Sequence, residues 1–231
     1  MCHVSCIVFG AKSLSKEEVK GKDILEVGSY DVNGTLRPII ESWGPQSYTG
    51  VDIMAGPGVD IVCSSENILR HFGNKKFDIV VSTEMLEHVE PWQDVISNLK
   101  NICKPGGLLL LTTRSLGFGY HAYPHDHWRY EKEDMEKIFS DYEIISLEKD
   151  AMAPGIFIKA RRPENFKEND LSDYKLYSVV TGTKINKVSA DDYRSRHFRR
   201  LLLKIKLNGL IYKTNSAIRS FVKKLIGWQP C

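Results

Sequence analysis

Two short runs limit what this chain can fold into. Phe77–Ser82 reads FDIVVS and Leu108–Thr113 reads LLLLTT, both apolar on successive residues and both bounded by turn-forming residues. A strand with one wet face alternates apolar and polar residues, whereas a strand apolar on both faces has to be covered on both. Three more strands are predicted upstream: Asp23–Val27 (DILEV), Ser47–Val51 closing on Asp52, and Val59–Cys63. Helical patterns at Thr35–Trp43, Glu66–Phe72 and Glu90–Cys103 alternate with them, and Ser15–Glu18 has the spacing of a capping box. A helix at Glu131–Phe139 and strands at Tyr142–Leu147 and Ile156–Ala160 complete the series. Strands alternating with helices define an α/β, doubly wound, mostly parallel sheet with helices on both faces. The expected division is a domain over 1–162, a polar linker or surface excursion over 163–192, and a basic helical tail over 193–231.

With 231 residues, 42% of them hydrophobic, there is material for one large core and an appendage. No apolar run approaches the roughly 20 residues of a membrane-spanning helix. Charge is unevenly placed: residues 1–192 hold 22 basic against 29 acidic side chains, a net −7, while 193–231 hold ten basic and none acidic. Five cysteines without a CxxC pair do not form a disulfide framework, which fits a reducing cytosol. Cys2, His3 and Cys6 read as an incidental cluster at a chain end, and VSCIVFG lacks the flanks of a signal peptide.

In a doubly wound sheet the ligand lies beyond the carboxyl ends of the strands, beside the first. There the sequence places Glu26, Gly28 and Ser29, with Tyr30 where a GxGxxG loop would have its second glycine. A dinucleotide needs bare amides for its diphosphate; a sulfonium nucleoside carries no phosphate and is drawn to a carboxylate such as Glu26. Asp52, 24 residues past Gly28, stands where nucleotide folds hold ribose hydroxyls. These features disfavour a nicotinamide oxidoreductase.

The segments LEVGSYDVNG, YTGVD, FDIVVSTEMLEHVEPW and KPGGLLLLTTRS resemble, in order and spacing, class I S-adenosylmethionine-dependent methyltransferases of the small-molecule type 11 group, over about residues 23–160. The resemblance implies a seven-stranded sheet with an antiparallel edge strand, methyl transfer, and S-adenosyl-L-methionine as cofactor. Carried onto this chain, the cofactor residues are Glu26, Gly28, Ser29, Asp52, Ile53, Ser82, Thr83 and Glu84, with Ile53 against the adenine. The pattern departs at Tyr30 and at Ser64–Ser65, leaving Glu66 or Asn67 to replace a missing acidic contact.

Glu84, Glu87 and His88 fall at i, i+3 and i+4, so a helix would project them from one side, with His121, His125 or His127 as a further ligand. The expected metal set is Glu84, Glu87, His88 and His127, for a divalent ion. Methyl transfer needs an aligned acceptor and, for a hydroxyl, a proton acceptor; His88 or His127, the latter beside Asp126, are the candidate bases. The loop GFGYHAYPHDHWRY offers Tyr120, Tyr123, His125, Trp128 and Arg129 to a small-molecule, sugar or lipid-linked acceptor. Apolar residues between Leu210 and Ile226 form one helical stripe flanked by lysines and arginines, a pattern suited to an anionic membrane surface. Nucleic acid is less favoured, because aromatic residues are not interleaved through the tail. The alternative to an enzyme is a non-catalytic cofactor-binding module recruited to a membrane or protein partner by that tail.

Overall fold

The computed structural model describes residues 3–122 and 124–208. The stripe at Leu210–Ile226 and Tyr123 therefore lie outside the described residues, as do Cys2 and Cys231. Two compact units are present, one running to Val179 and including Thr183–Lys187, the other made of Val180–Gly182 and the residues from Val188 onward.

The first unit opens with a helix absent from the sequence reading, α1 (Val4–Ser13), capped by the His3 side chain and burying Cys6 and Phe9. The short helix α2 (Lys16–Val19) carries the capping box formed by Ser15 and Glu18. Then follow β1 (Asp23–Val27), α3 (Arg37–Ser42), β2 (Ser47–Asp52), β3 (Ile61–Val62), α4 (Ile68–Phe72), β4 (Phe77–Thr83), α5 (Trp92–Ile102) and β5 (Cys103–Arg114). The helix α5 buries Val95, Ile96, Leu99 and Ile102, the one-sided pattern its sequence predicts. After β6 (Trp128–Arg129) and α6 (Lys132–Ile138) come β7 (Glu143–Lys149) and β8 (Gly155–Arg161).

Seven strands join in the order β3-β2-β1-β4-β5-β8-β7. The first five run parallel; β8 enters antiparallel between β5 and the edge strand β7. The central strands are buried as their composition requires: every residue from Ile79 to Thr83 is inside, and so is every residue from Leu108 to Arg114. On one face Cys6, Phe9, Ile24, Ile40, Val81 and Phe157 share a core, which fixes α1 on the sheet. Lys159 anchors the same helices, donating to the Ser13 carbonyl and to Glu18, each at 2.6 Å.

Residues 163–192 do not form a bare linker. Here β9 (Leu176–Ser178) pairs antiparallel with both β6 and β10 (Thr183–Ile185), making a separate three-stranded sheet. Because β6 is drawn from the histidine-rich loop, this small sheet holds that loop in place. In the second unit, residues 196–208 are helical, with Tyr193 edge-on to Phe198 at 5.2 Å. No helix among the described residues is long and apolar enough to cross a membrane.

Candidate active site

The turn after β1 is closed by the amides of Gly28 and Ser29, which both donate to the Val51 carbonyl at the end of β2. Gly28 has φ 82, and a Cβ on it would lie 2.7 Å from Cγ of Met85, so the position requires glycine twice over. Asp52 ends β2 and ties two loops together, its carboxylate accepting from the amides of Tyr30 at 3.2 Å and Met54 at 3.1 Å. A cavity of about 380 Å³ opens between these loops and the residues after β4.

The wall of this cavity has a definite chemistry. It is lined by the acidic residues Asp52, Glu66, Glu84 and Glu90 and by His88, His125 and His127, and no lysine or arginine is among the described lining residues. Such a surface repels a diphosphate and suits a cationic nucleoside. Of the expected cofactor residues, Gly28, Asp52, Ile53 and Glu84 lie on the wall, and Ile53 is 54% exposed. Ser64, Ser65 and Glu66 also line it, whereas Asn67 does not.

Glu26 is placed differently from the sequence expectation. It is 2% exposed, lies off the cavity wall, and accepts a hydrogen bond from the Tyr48 hydroxyl at 2.9 Å. Burial pushes its carboxyl up to about 7, against the opposing pull of Tyr48 and of the Arg37 guanidinium. Ser29, Ser82 and Thr83 are likewise buried and off the wall.

The ExxEH segment is not an α-helix. Glu84 sits in the left-handed region at φ 55, and Leu86–His88 is a single 3-10 turn, so the helical spacing that would align Glu84 with Glu87 and His88 is broken. Glu84 pairs instead with the buried guanidinium of Arg114. Burial and the nearby Glu87 carboxylate raise the Glu84 carboxyl, while Arg114 opposes them. Glu87 is fully buried, with Oε2 accepting from the Thr113 hydroxyl at 2.8 Å. Its Oε1 faces Nε2 of His88 at 3.9 Å and Nε2 of His121 at 3.8 Å. Burial alone would raise the Glu87 carboxyl; the two histidines hold it low. The cluster brought together is thus Glu87, His88 and His121. Glu84 and His127 stand outside it, and His121, which the sequence offered only as one of three alternatives, stands inside.

The aromatic loop divides into a wall and a frame. His125 and His127 line the cavity, and burial lowers His127 to about 4, keeping it neutral near pH 7. Trp128 is fully buried and donates through its indole N–H to the Val89 carbonyl at 2.8 Å. Arg129 clasps Asp126 through two bonds of 2.6 and 2.7 Å. Asp126 also accepts from the His121 amide at 2.9 Å. Trp128, Arg129, Asp126 and Tyr120 lie off the cavity wall.

A family model described as a methyltransferase domain matches residues 10–194. The chain belongs to the methyltransferase-domain family. No curated protein matches it. Among solved structures, the 1,6-didemethyltoxoflavin-N1-methyltransferase of Burkholderia thailandensis, crystallised with 1,6-didemethyltoxoflavin and S-adenosylhomocysteine, is 12% identical. The match covers 68% of this chain and 78% of that one, with a TM-score of 0.56. The N-methyltransferase NodS of Bradyrhizobium japonicum is 15% identical over 67% and 93% of the two chains, TM-score 0.51. An S-adenosylmethionine-dependent methyltransferase of Mesorhizobium loti is 17% identical over 68% and 98%, TM-score 0.52. At these identities the likeness is one of fold. S-adenosyl-L-methionine is the cofactor that the sequence resemblance implies for this chain. The residues present are compatible with it: Gly28 leaves the loop bare, Asp52 lines the cavity, and no lysine or arginine is among the described lining residues.

Proposed function

We propose that this methyltransferase transfers the methyl group to an oxygen or nitrogen of a small-molecule, sugar or lipid-linked acceptor bound at the histidine end of the cavity. The cofactor, when bound, supplies an electrophilic methyl on a positive sulfur. Gly28, Asp52, Ile53 and Glu84 would hold it, with Glu66 near the adenine. For a hydroxyl acceptor the oxygen gains the methyl, the carbon–sulfur bond breaks with its electron pair left on sulfur, and the hydroxyl proton passes to a base.

His88 or His127 is that base. Both line the same space, and the Nδ1–H of His88 donates to the His125 carbonyl at 2.5 Å, which leaves Nε2 as its basic atom. Asp126 acts at one remove, positioning His121 and the loop. His125 would contact the acceptor; Trp128, Arg129 and Tyr120 serve the site by framing it. The observation that carries this reading is the cavity wall, acidic and histidine-bearing at the carboxyl ends of β1, β2 and β4.

The helix over 196–208 supports contact with an anionic membrane. Leu203 and Leu207 are 57% and 49% exposed among Arg199, Arg200, Lys204 and Lys206. Two experiments test the reading. Methyl release from labelled cofactor against acceptor pools should fall at least a hundredfold in His127→Ala if that residue is the base. A chain ending at Asp192 should keep its affinity for S-adenosylhomocysteine and lose binding to phosphatidylserine vesicles. Cofactor binding with no methyl loss to any acceptor pool would favour a non-catalytic module.

A further inference from the structure

We infer that Glu87, His88 and His121 form a binding site for one divalent transition-metal ion at the edge of the acceptor space. The three side chains come from separate places, two from the 3-10 turn after β4 and one from the loop after β5. One donor atom from each lies within 4.8 Å of the others. Glu87 Oε1 has no hydrogen-bond partner although it is buried, and it is the atom that both Nε2 atoms face.

What distinguishes this cluster from a chance grouping is what stands behind each donor. His88 gives its Nδ1–H to the His125 carbonyl, and Nδ1 of His121 lies 3.1 Å from Asp126 and 3.2 Å from the Gly119 carbonyl. On both rings Nδ1 is therefore the nitrogen engaged behind the site, and Nε2 is the atom directed at Glu87, free to ligate an ion in exchange for any proton it holds. The other oxygen of Glu87 is fixed by Thr113. Histidine ligands in metal sites are oriented in this way, by a carbonyl or carboxylate on the far nitrogen. Asp126 is itself locked by Arg129. A tetrahedral ion with bonds of about 2.0 Å places its donors about 3.3 Å apart; the 3.8 and 3.9 Å separations from Glu87 would close by about 0.5 Å, and the two imidazole nitrogens, within 4.8 Å of each other, would draw together around the ion.

Two imidazoles and one carboxylate select zinc, manganese, iron(II) or cobalt over magnesium or calcium, which prefer oxygen throughout. His88 belongs both to this cluster and to the cavity wall. An ion here would meet an acceptor oxygen and lower its pKa, favouring a hydroxyl or a vicinal diol as the acceptor; that step rests on the methyltransferase reading. With the ion in place His88 is a ligand, and the proton falls to His127.

The test uses the full chain, stripped with chelator and titrated with cobalt(II) by visible absorption and with zinc by calorimetry. One equivalent should bind. Glu87→Gln and His121→Ala should each weaken cobalt binding at least a hundredfold, and His127→Ala should leave it unchanged. Circular dichroism checks that each variant is folded, and His121→Gln replaces the alanine variant if that one is not. Wild type binding no more cobalt than His121→Ala, or His127→Ala losing as much as His121→Ala, would overturn the site. S-adenosylhomocysteine is titrated separately: its failure to bind, with cobalt retained, would remove the methyltransferase reading and leave the ion site standing.

Discussion

Replacing Glu26 with glutamine should stabilise the cofactor-free protein, by an amount that grows from about pH 4.5 and levels off above about pH 7. The carboxyl has an ordinary value of 4.5 in an open chain and about 7 in the fold, where burial disfavours its charged form. Below pH 4.5 it is protonated in both states and its contribution to stability is whole. As the pH climbs, the unfolded chain ionises first, and the contribution is lost progressively until the folded group also ionises near 7. A difference of that size corresponds to about 3 kcal/mol at pH 8. Glutamine has the same shape and still accepts from Tyr48, so the variant should gain about 2–3 kcal/mol at pH 8 and nothing at pH 4.5. Urea unfolding of both proteins at the two pH values measures this through midpoint and slope. Parallel stability profiles for the two proteins would refute the reasoning, because they would mean that Glu26 ionises in the fold as it does in water.

Gly28→Ala should cost about 1–3 kcal/mol of stability, from the positive φ and the clash with Met85, and weaken S-adenosylhomocysteine binding at least tenfold as Met85 is pushed into the cavity. Unfolding and calorimetry would both have to be unaltered to show that the turn has slack. Arg129→Ala should cost about 3–5 kcal/mol by leaving Asp126 buried without its partner, and Arg129→Lys should recover only part, since lysine cannot make both bonds. Thermal unfolding of the pair checks the order. If His127 is the base, its low value keeps it neutral, so the rate should stay level from pH 8 down to about 5 and fall only toward pH 4. A fall centred near 6.5 would point to a different base.

The sheet was legible because its strands are apolar on both faces, and the cofactor loop because Gly28 and Asp52 sit at strand ends that only one kind of fold puts side by side. Other parts were hidden for physical reasons. The helix α1 leaves Val4 and Val8 exposed and buries serine and glycine, so its apolar residues do not trace one face, and its cap is a histidine. Both β9 and β10 are three residues long; β10 pairs with β9 across a short turn, and β9 in turn pairs with β6, which is distant in sequence. At the site, the ExxEH spacing reads as helical until the left-handed Glu84 breaks it, a conformation that a non-glycine residue does not announce. His121 belongs to an irregular loop with no period to aim its ring. The aromatic loop gave the right composition for a pocket without showing which side chains face inward: Trp128 and Arg129 became frame, His125 and His127 wall.

The central claim is that an acidic, phosphate-averse cavity beside Gly28 and Asp52 holds a methyl donor. Calorimetric titration of the full chain with S-adenosylhomocysteine and with NAD tests it most directly. S-adenosylhomocysteine, the spent cofactor, should bind one to one and NAD should give no heat, and Asp52→Ala should weaken the former by about 1–3 kcal/mol, the cost of polar partners left unmet. Binding of NAD, or an Asp52→Ala affinity equal to wild type, would contradict the account.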